Sequence, residues 1–289
     1  MQDRIFSESM DLLQSPNFFM QKSHGISFSY SPFIIVGIII TIGVLLYLIL
    51  PLVALILRSS PENLIESLYS PVVIQALTLS LFTTIITTIL ILVTGTPAAY
   101  IQSRVNYPGK NFVDTCIDLP IVLPPAVAGF ALLLMFGRMG LLGKYLYLFD
   151  ITIPFTTTAV IMAQFFVAAP LYIRQAKALF SQQDKIFEEA ARTLGAGNLR
   201  VFITITLPLT WLGLLSGAII SFARALGEFG ATIMFAGNLP GITQTMPLAI
   251  YASMQSDFNA AITLSIILIL ISLIVMLLVR LISGGEEHA

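Results

Sequence analysis

Long apolar runs alternate with short polar breaks along most of the chain. Phe33 to Leu57 carries no charge, and neither do Leu119–Gly137, Ile151–Ile173, Val201–Ala223 and Phe258–Val279. Ser67 to Ser103 is uncharged for roughly 37 residues, well beyond the ~20 that one crossing of hydrocarbon needs but too short for two crossings with a turn. The pattern predicts six membrane-crossing helices, at about 33–57, 72–103, 119–137, 151–173, 208–236 and 258–280, and hence an all-α integral membrane protein. Pro51 is expected to kink the first helix, and Gly95 and Pro97 to disturb the second. Pro120, Pro124 and Pro125 predict an irregular start to the third, which is tolerated only where protein or water covers the backbone. Thr78, Thr83, Thr84, Thr87 and Thr88 can bond back to helix carbonyls, so they do not by themselves mark a channel.

The breaks differ from one another. Arg58–Ser70, Arg104–Asp118 and Arg138–Asp150 read as loops. Ser181 to Pro208 reads as more than a loop. Ser181 and Asp184 have the form of a capping box, which predicts a helix start. Ile186, Ala190 and Leu194, with Phe187 and Ala191 beside them, make an apolar stripe. Gly195 suits the left-handed position that ends such a helix. The expectation is an amphipathic helix of about three turns, then a link, then a long apolar run from Leu207-Pro208. The pattern alone fits an ordinary interfacial helix as well as a docking element. Between Ala236 and Asn259, Gly237, Pro240 and Gly241 break the helix, and Thr245-Met246-Pro247 predicts a short one bearing Leu248, Tyr251 and Met254. That segment suits an external partner or a lid.

Along the fifth crossing Gly213, Gly217, Ser221 and Ala225 recur every four residues. Small residues on one face let another helix approach, either within this chain or from a second copy. Arg224 and Glu228 follow four apart, with Thr232 one turn further on. For a helix starting near Pro208, Arg224 lies ~24 Å along it. Ionisable groups there need a partner or water, so the pair either holds helices in register or lies on a translocation path with Thr232.

Composition removes other classes. The chain has 289 residues, 57% hydrophobic and 10% charged, with a mean hydropathy of +0.93, which excludes a soluble globular domain. A net charge of −1 without a basic patch gives no reason to expect nucleic acid. The single cysteine, Cys116, excludes an internal disulfide and a thiolate cluster, and His24 has no second ligand nearby, so no metal site is expected. Gly109-Lys110 and Gly143-Lys144 lack the rest of a phosphate-binding loop, and there is no nucleophile elbow or zinc-protease histidine pair. No catalytic residue is assigned, and the chain is not expected to be an enzyme by itself. Residues 1–32 are polar, with Asp3, Glu8 and Asp11, and lack a signal-peptide pattern, so they read as a cytoplasmic extension; 283–289 read as a cytoplasmic tail. With 181–207 in the cytoplasm, Arg4, Lys22, Arg104, Lys110, Arg174, Lys177, Lys185, Arg192, Arg200 and Arg280 lie inside, against Arg58, Arg138 and Lys144 outside. The bias favours both termini inside.

Glu189-Ala190-Ala191, then Gly195, then Ile205-x-Leu207-Pro208 resembles the EAA loop of ABC-importer permeases. The resemblance implies a type I ABC importer permease fold in the cytoplasmic membrane. It makes the short helix a coupling helix that docks into a groove on a separate cytoplasmic ATPase, with Glu188, Glu189, Ala190, Ala191, Arg192, Leu194 and Gly195 as coupling residues. Ala223 to Tyr251, ARALGEFGATIMFAGNLPGITQTMPLAIY, resembles the molybdate/tungstate branch. That implies a homodimer, two ATPase subunits that hold ATP and Mg, an extracytoplasmic oxyanion-binding protein, and no cofactor in this chain. Transport of molybdate or tungstate by alternating access is the expectation, with sulfate or thiosulfate as the alternative cargo. A self-contained secondary transporter would need coupling carboxylates near a midplane site, and only Glu228 is of that kind.

Overall fold

The computed structural model describes residues 32–283, and every regular element in that range is helical. The expected extension before Pro32, with Arg4, Lys22 and His24, and the tail after Ser283 lie outside the described residues.

Helix α1, Pro32–Arg58, is a self-contained crossing that runs on through Pro51 and reaches its first charge at Arg58. Helix α2, Pro61–Leu68, occupies the short break that follows. Helix α3, Pro71–Arg104, starts on Ser70, whose hydroxyl accepts from Val73 N–H at 3.3 Å. Its 34 residues continue through Gly95 and Pro97, about 51 Å at ~1.5 Å per residue. That length outruns a ~30 Å hydrocarbon layer. Its buried face is built from small and polar residues, among them Ala76, Ser80, Thr84, Thr87, Gly95 and Ala99. A Cβ on Gly95 would stand 2.9 Å from the Tyr172 ring, so glycine is what lets the next long helix lie close.

The third crossing is not the single helix 119–137. Helix α4, Lys110–Val122, and α5, Pro125–Phe136, meet at 114°. Pro124 and Pro125 together remove two backbone donors and fix two φ angles, which forces the turn. The segment Arg104–Asp118 is therefore largely helix rather than loop. Helix α6, Gly143–Tyr147, interrupts the next break.

The fourth crossing is also displaced from 151–173. Helix α7, Thr157–Gln182, starts on Thr156, whose hydroxyl accepts from Ala159 N–H at 3.3 Å, and runs nine residues past Ile173. Arg174 and Lys177 do not stop it. Both remain accessible to solvent, and Lys177 pairs with Asp114 of α4 at 2.7 Å. Ser181 is no cap: it lies in the last turn of α7 and donates to Lys177 O at 2.8 Å. Helix α8, Ile186–Thr193, is eight residues, two turns rather than three. Asp184 Oδ1 accepts from Ile186 N–H at 3.0 Å and does the work expected of Ser181.

The expected link before Leu207 is helical. Helix α9, Asn198–Leu226, is one element with a π-helical turn at Phe202–Thr206. It ends at Leu226, not at 236; Gly227–Phe229 break it before α10, Gly230–Phe235. Helices α11, Met246–Ser256, and α12, Phe258–Ser283, complete the chain. Thr245 holds the N-cap position of α11 but its hydroxyl does not cap. Met246 N–H instead donates to Ser80 Oγ of α3 at 2.6 Å. The expected stripe on α11 is split: Leu248 is buried, while Tyr251 and Met254 are exposed.

Helix α7 is the hub of the packing. One apolar cluster joins it to α3 and α9 through Ile91, Ala168, Tyr172, Phe180 and Leu214. A second joins it to α5 and α10 through Leu132, Ala163, Val167 and Phe235. A third lies between α3, α9, α11 and α12. Within the first, Gln164 bonds Thr87 Oγ1 at 3.1 Å and Thr84 Oγ1 at 3.3 Å, so a buried amide is satisfied by the threonines of the facing helix.

Candidate functional site

Helix α8 leaves its apolar side chains uncovered. Ile186 is 64%, Phe187 58% and Leu194 90% exposed. Glu189, Ala190, Arg192 and Gly195 are exposed as well, and Ala191 is half-buried. The helix closes on a double C-terminal bond: Gly195 N–H reaches Arg192 O at 2.9 Å and Ala196 N–H reaches Ala191 O at 3.0 Å. This motif needs a left-handed residue at its turn, and Gly195 supplies φ +87°. The result is a firm knob with an apolar, small-residue surface.

Glu188 is the exception. It is 1% exposed, the only buried residue of α8, so it cannot touch a partner as its neighbours can. Its Oε1 lies 2.7 Å from Arg104 Nη2 and accepts from Thr206 Oγ1 at 3.0 Å. Its Oε2 lies 3.3 Å from Arg192 Nη2 and 3.5 Å from the Tyr100 hydroxyl. A buried carboxylate is costly unless paired and hydrogen-bonded, and this one is both. Beside it, Tyr100, Phe180 and Phe202 stack from α3, α7 and α9, with ring centroids 4.7 to 6.2 Å apart. Sequence reasoning did not reach Tyr100, Arg104 or Thr206. Thr206 is the unspecified position between Ile205 and Leu207, and Arg104 read only as a charge ending a crossing.

A second constellation sits where two helices are broken. Arg224 Nη1 lies 2.7 Å from Glu228 Oε2, and Glu228 Oε1 accepts from Ala231 N–H at 2.8 Å. Glu228 thus bridges the end of α9 to the start of α10. Its side chain is 1% exposed, whereas 33% of the Arg224 side chain remains accessible. Because α9 begins at Asn198, Arg224 lies about 39 Å along it, in the last turn, where a cation also suits the helix dipole. Thr232 is fully buried and its hydroxyl has no partner, so in this structure it lines no open path.

The half-helices α5 and α10 pack on each other through glycine at both contacts. A Cβ on Gly129 would meet Ala231 O at 2.4 Å, and one on Gly230 would meet Pro125 Cβ at 2.7 Å. The small-residue face of α9 turns onto α7 of the same chain. Gly213 lies under Leu179 and Gly217 under Gln175 and Tyr172, while Ser221 and Ala225 are buried. Among the described residues no group of three or more His, Cys, Asp or Glu side chains converges to hold a metal ion.

Residues 91–285 match the family model described as binding-protein-dependent transport system inner membrane component. The chain is 41% identical over 235 residues to the "Probable transport system permease protein NifC" of Clostridium pasteurianum, covering 81% of this chain and 82% of that one. It is 44% identical over 183 residues to the "Molybdenum transport system permease protein ModB" of Escherichia coli (strain K12), covering 63% and 80%. The fold is shared with a chain in the crystal structure of a bacterial ABC transporter involved in the import of the acidic polysaccharide alginate, at a TM-score of 0.68 and 13% identity, over 87% of this chain and 96% of that one. Five long apolar helices and one bent pair, a match over two thirds of the sequence and a shared fold lead to one conclusion: the chain belongs to the family of inner membrane components of binding-protein-dependent transport systems.

Proposed function

We propose that this chain is the membrane-spanning permease subunit of an ATP-driven importer of molybdate or tungstate. It works as a homodimer with two cytoplasmic ATPase subunits, which bind ATP and Mg, and with an extracytoplasmic oxyanion-binding protein. Both termini and α8 face the cytoplasm. The observation that carries the reading is the knob itself: Ile186, Phe187 and Leu194 are exposed on a short, charged helix too polar for hydrocarbon, closed by its own Gly195 turn and tied to the crossings from behind by Glu188. Apolar surface of that kind marks an interaction site. The ATPases pull α8 as they close on ATP and relax it after hydrolysis, and the crossings exchange inward and outward access; the energy comes from contacts that differ between the two states. Likeness to the molybdenum permease, together with the run Ala223–Tyr251, supports the oxyanion.

The deciding experiment reconstitutes this chain with its ATPase and binding protein in liposomes. ATP-dependent uptake of labelled molybdate, competed by tungstate and not by sulfate, is the expected result. Uptake competed by sulfate instead would reassign the cargo, and uptake without the ATPase would remove the coupling reading.

The knob has its own test. Glu189→Lys reverses an exposed charge on it, and Gly195→Pro removes a φ of +87° that proline cannot adopt. Both variants insert into the membrane but retain less ATPase through purification, with uptake reduced about 10-fold or more, since a docking contact of ~1.4 kcal/mol is worth that factor. Wild-type ATPase recovery with normal uptake would refute this.

A further inference from the structure

An eight-residue helix is too short to hold its own shape or place in water. Helix α8 is flanked by short loops, Gln183–Lys185 and Leu194–Gly197, and all its other side chains are at least partly exposed. Glu188 is therefore its one buried anchor against the crossings. That carboxylate reaches the last residue of α3 through Arg104, and the π-helical turn of α9 through Thr206. A π turn is rare, and such turns recur at functional sites. Here the turn Phe202–Thr206 brings a buried threonine to a carboxylate that lies 18 residues earlier in the chain.

The cluster is not saturated. Arg104 Nε and both side-chain polar atoms of Gln183 are buried without a partner. Arg104 Nη1 and Nη2 reach Gln183 O only at 3.5 Å. An unpaired buried donor or acceptor is costly, so any rearrangement that pairs these groups is favoured.

We propose that Glu188 is a positioning residue for transport: it delivers movement of α8 to the adjacent ends of α3 and α9, and the Arg104–Gln183 groups re-pair as the two access states exchange. Movement of α8 would otherwise be absorbed by its flanking loops. This rests on the coupling reading of α8, and goes beyond it by naming the contacts inside this chain that transmit the motion. Arg192, four residues from Glu188 on the same helix, reaches the carboxylate at 3.3 Å but ties it to no other element.

The test is made on the full transporter, with ATPase and binding protein, and reads uptake per ATP hydrolysed. Glu188→Gln keeps the shape and the acceptor for Thr206 but loses the charge. Arg104→Met removes the other partner, and Arg104→Lys retains the cation. The expected result is a fall of about 5-fold or more in uptake per ATP for the first two, the range of an ordinary coupling energy, with the ATPase still co-purifying at the wild-type ratio. Glu188→Gln/Arg104→Met should be no worse than either single change, and Arg104→Lys should recover most of the ratio. An unchanged ratio in Glu188→Gln would overturn the proposal. So would loss of bound ATPase in step with uptake, which would make Glu188 a fold residue alone. A wild-type complex that neither binds an ATPase nor needs ATP would instead sink the earlier reading of α8.

Discussion

Gly129→Leu should leave a chain that inserts into the membrane and then fails to form a stable core. The contact is backbone on backbone. An added Cβ would stand 2.4 Å from Ala231 O and 2.8 Å from Ala231 Cα, with Met234 Cβ also at 2.8 Å. No rotamer change relieves that. Helix α5 would have to leave α10, and with it the cluster of Leu132, Ala163, Val167 and Phe235. Overpacking of a core costs about 1–3 kcal/mol where the structure can adjust, and more where it cannot. Even Gly129→Ala should lower the thermal midpoint measurably. Gly217→Ala is the control. Its nearest neighbours are the Gln175 amide and the Tyr172 ring at 3.3–3.4 Å, and the amide can swing aside. Thermal unfolding of the detergent-purified protein, followed by gel filtration, separates the two. A monodisperse Gly129→Leu protein with the wild-type midpoint would show that α5 and α10 do not depend on this approach.

Glu228→Ala should be the next most damaging change. It leaves Arg224, whose side chain is one-third exposed, without its carboxylate and removes the acceptor of Ala231 N–H at the start of α10. Breaking a fully buried ion pair from one side costs about 3–5 kcal/mol, and the cost here is smaller because a third of the Arg224 side chain stays in contact with solvent. Removing both charges together, as Arg224→Met/Glu228→Met, should restore much of the stability, because an apolar pair of similar volume is often as stable as the ion pair it replaces. The double variant also decides what the pair is for. Recovered stability with recovered uptake makes it a register device between α9 and α10. Recovered stability with uptake still lost makes the exposed third of Arg224 part of the anion's route. A Glu228→Ala protein as stable as wild type would show that the pair does not hold α9 to α10.

The amount of this legible in the sequence follows from the range of the forces. Apolar length is summed over neighbours along the chain, so the crossings and the exposed position of α8 could be read directly. Gly195 could be assigned to a left-handed turn because the ending of a helix is a local event. Helix ends set by tertiary contacts could not be read. Helix α7 runs past Arg174 and Lys177 with both still accessible to solvent, and Lys177 finds Asp114 on another helix. Ser181 and Asp184 offer the same local chemistry for a cap, and only the extra turn of α7 decides between them.

The sequence by itself determined that the chain lies in a membrane and that a charged knob follows its fourth crossing. Only the tertiary structure decided that Glu188 faces inward while Glu189 faces out, that Arg104 and Thr206 belong with it, and that two broken crossings meet through Gly129 and Gly230. The reason is physical. A side chain's partner across 84 residues of chain is fixed by how whole helices pack, and packing depends on every apolar contact at once.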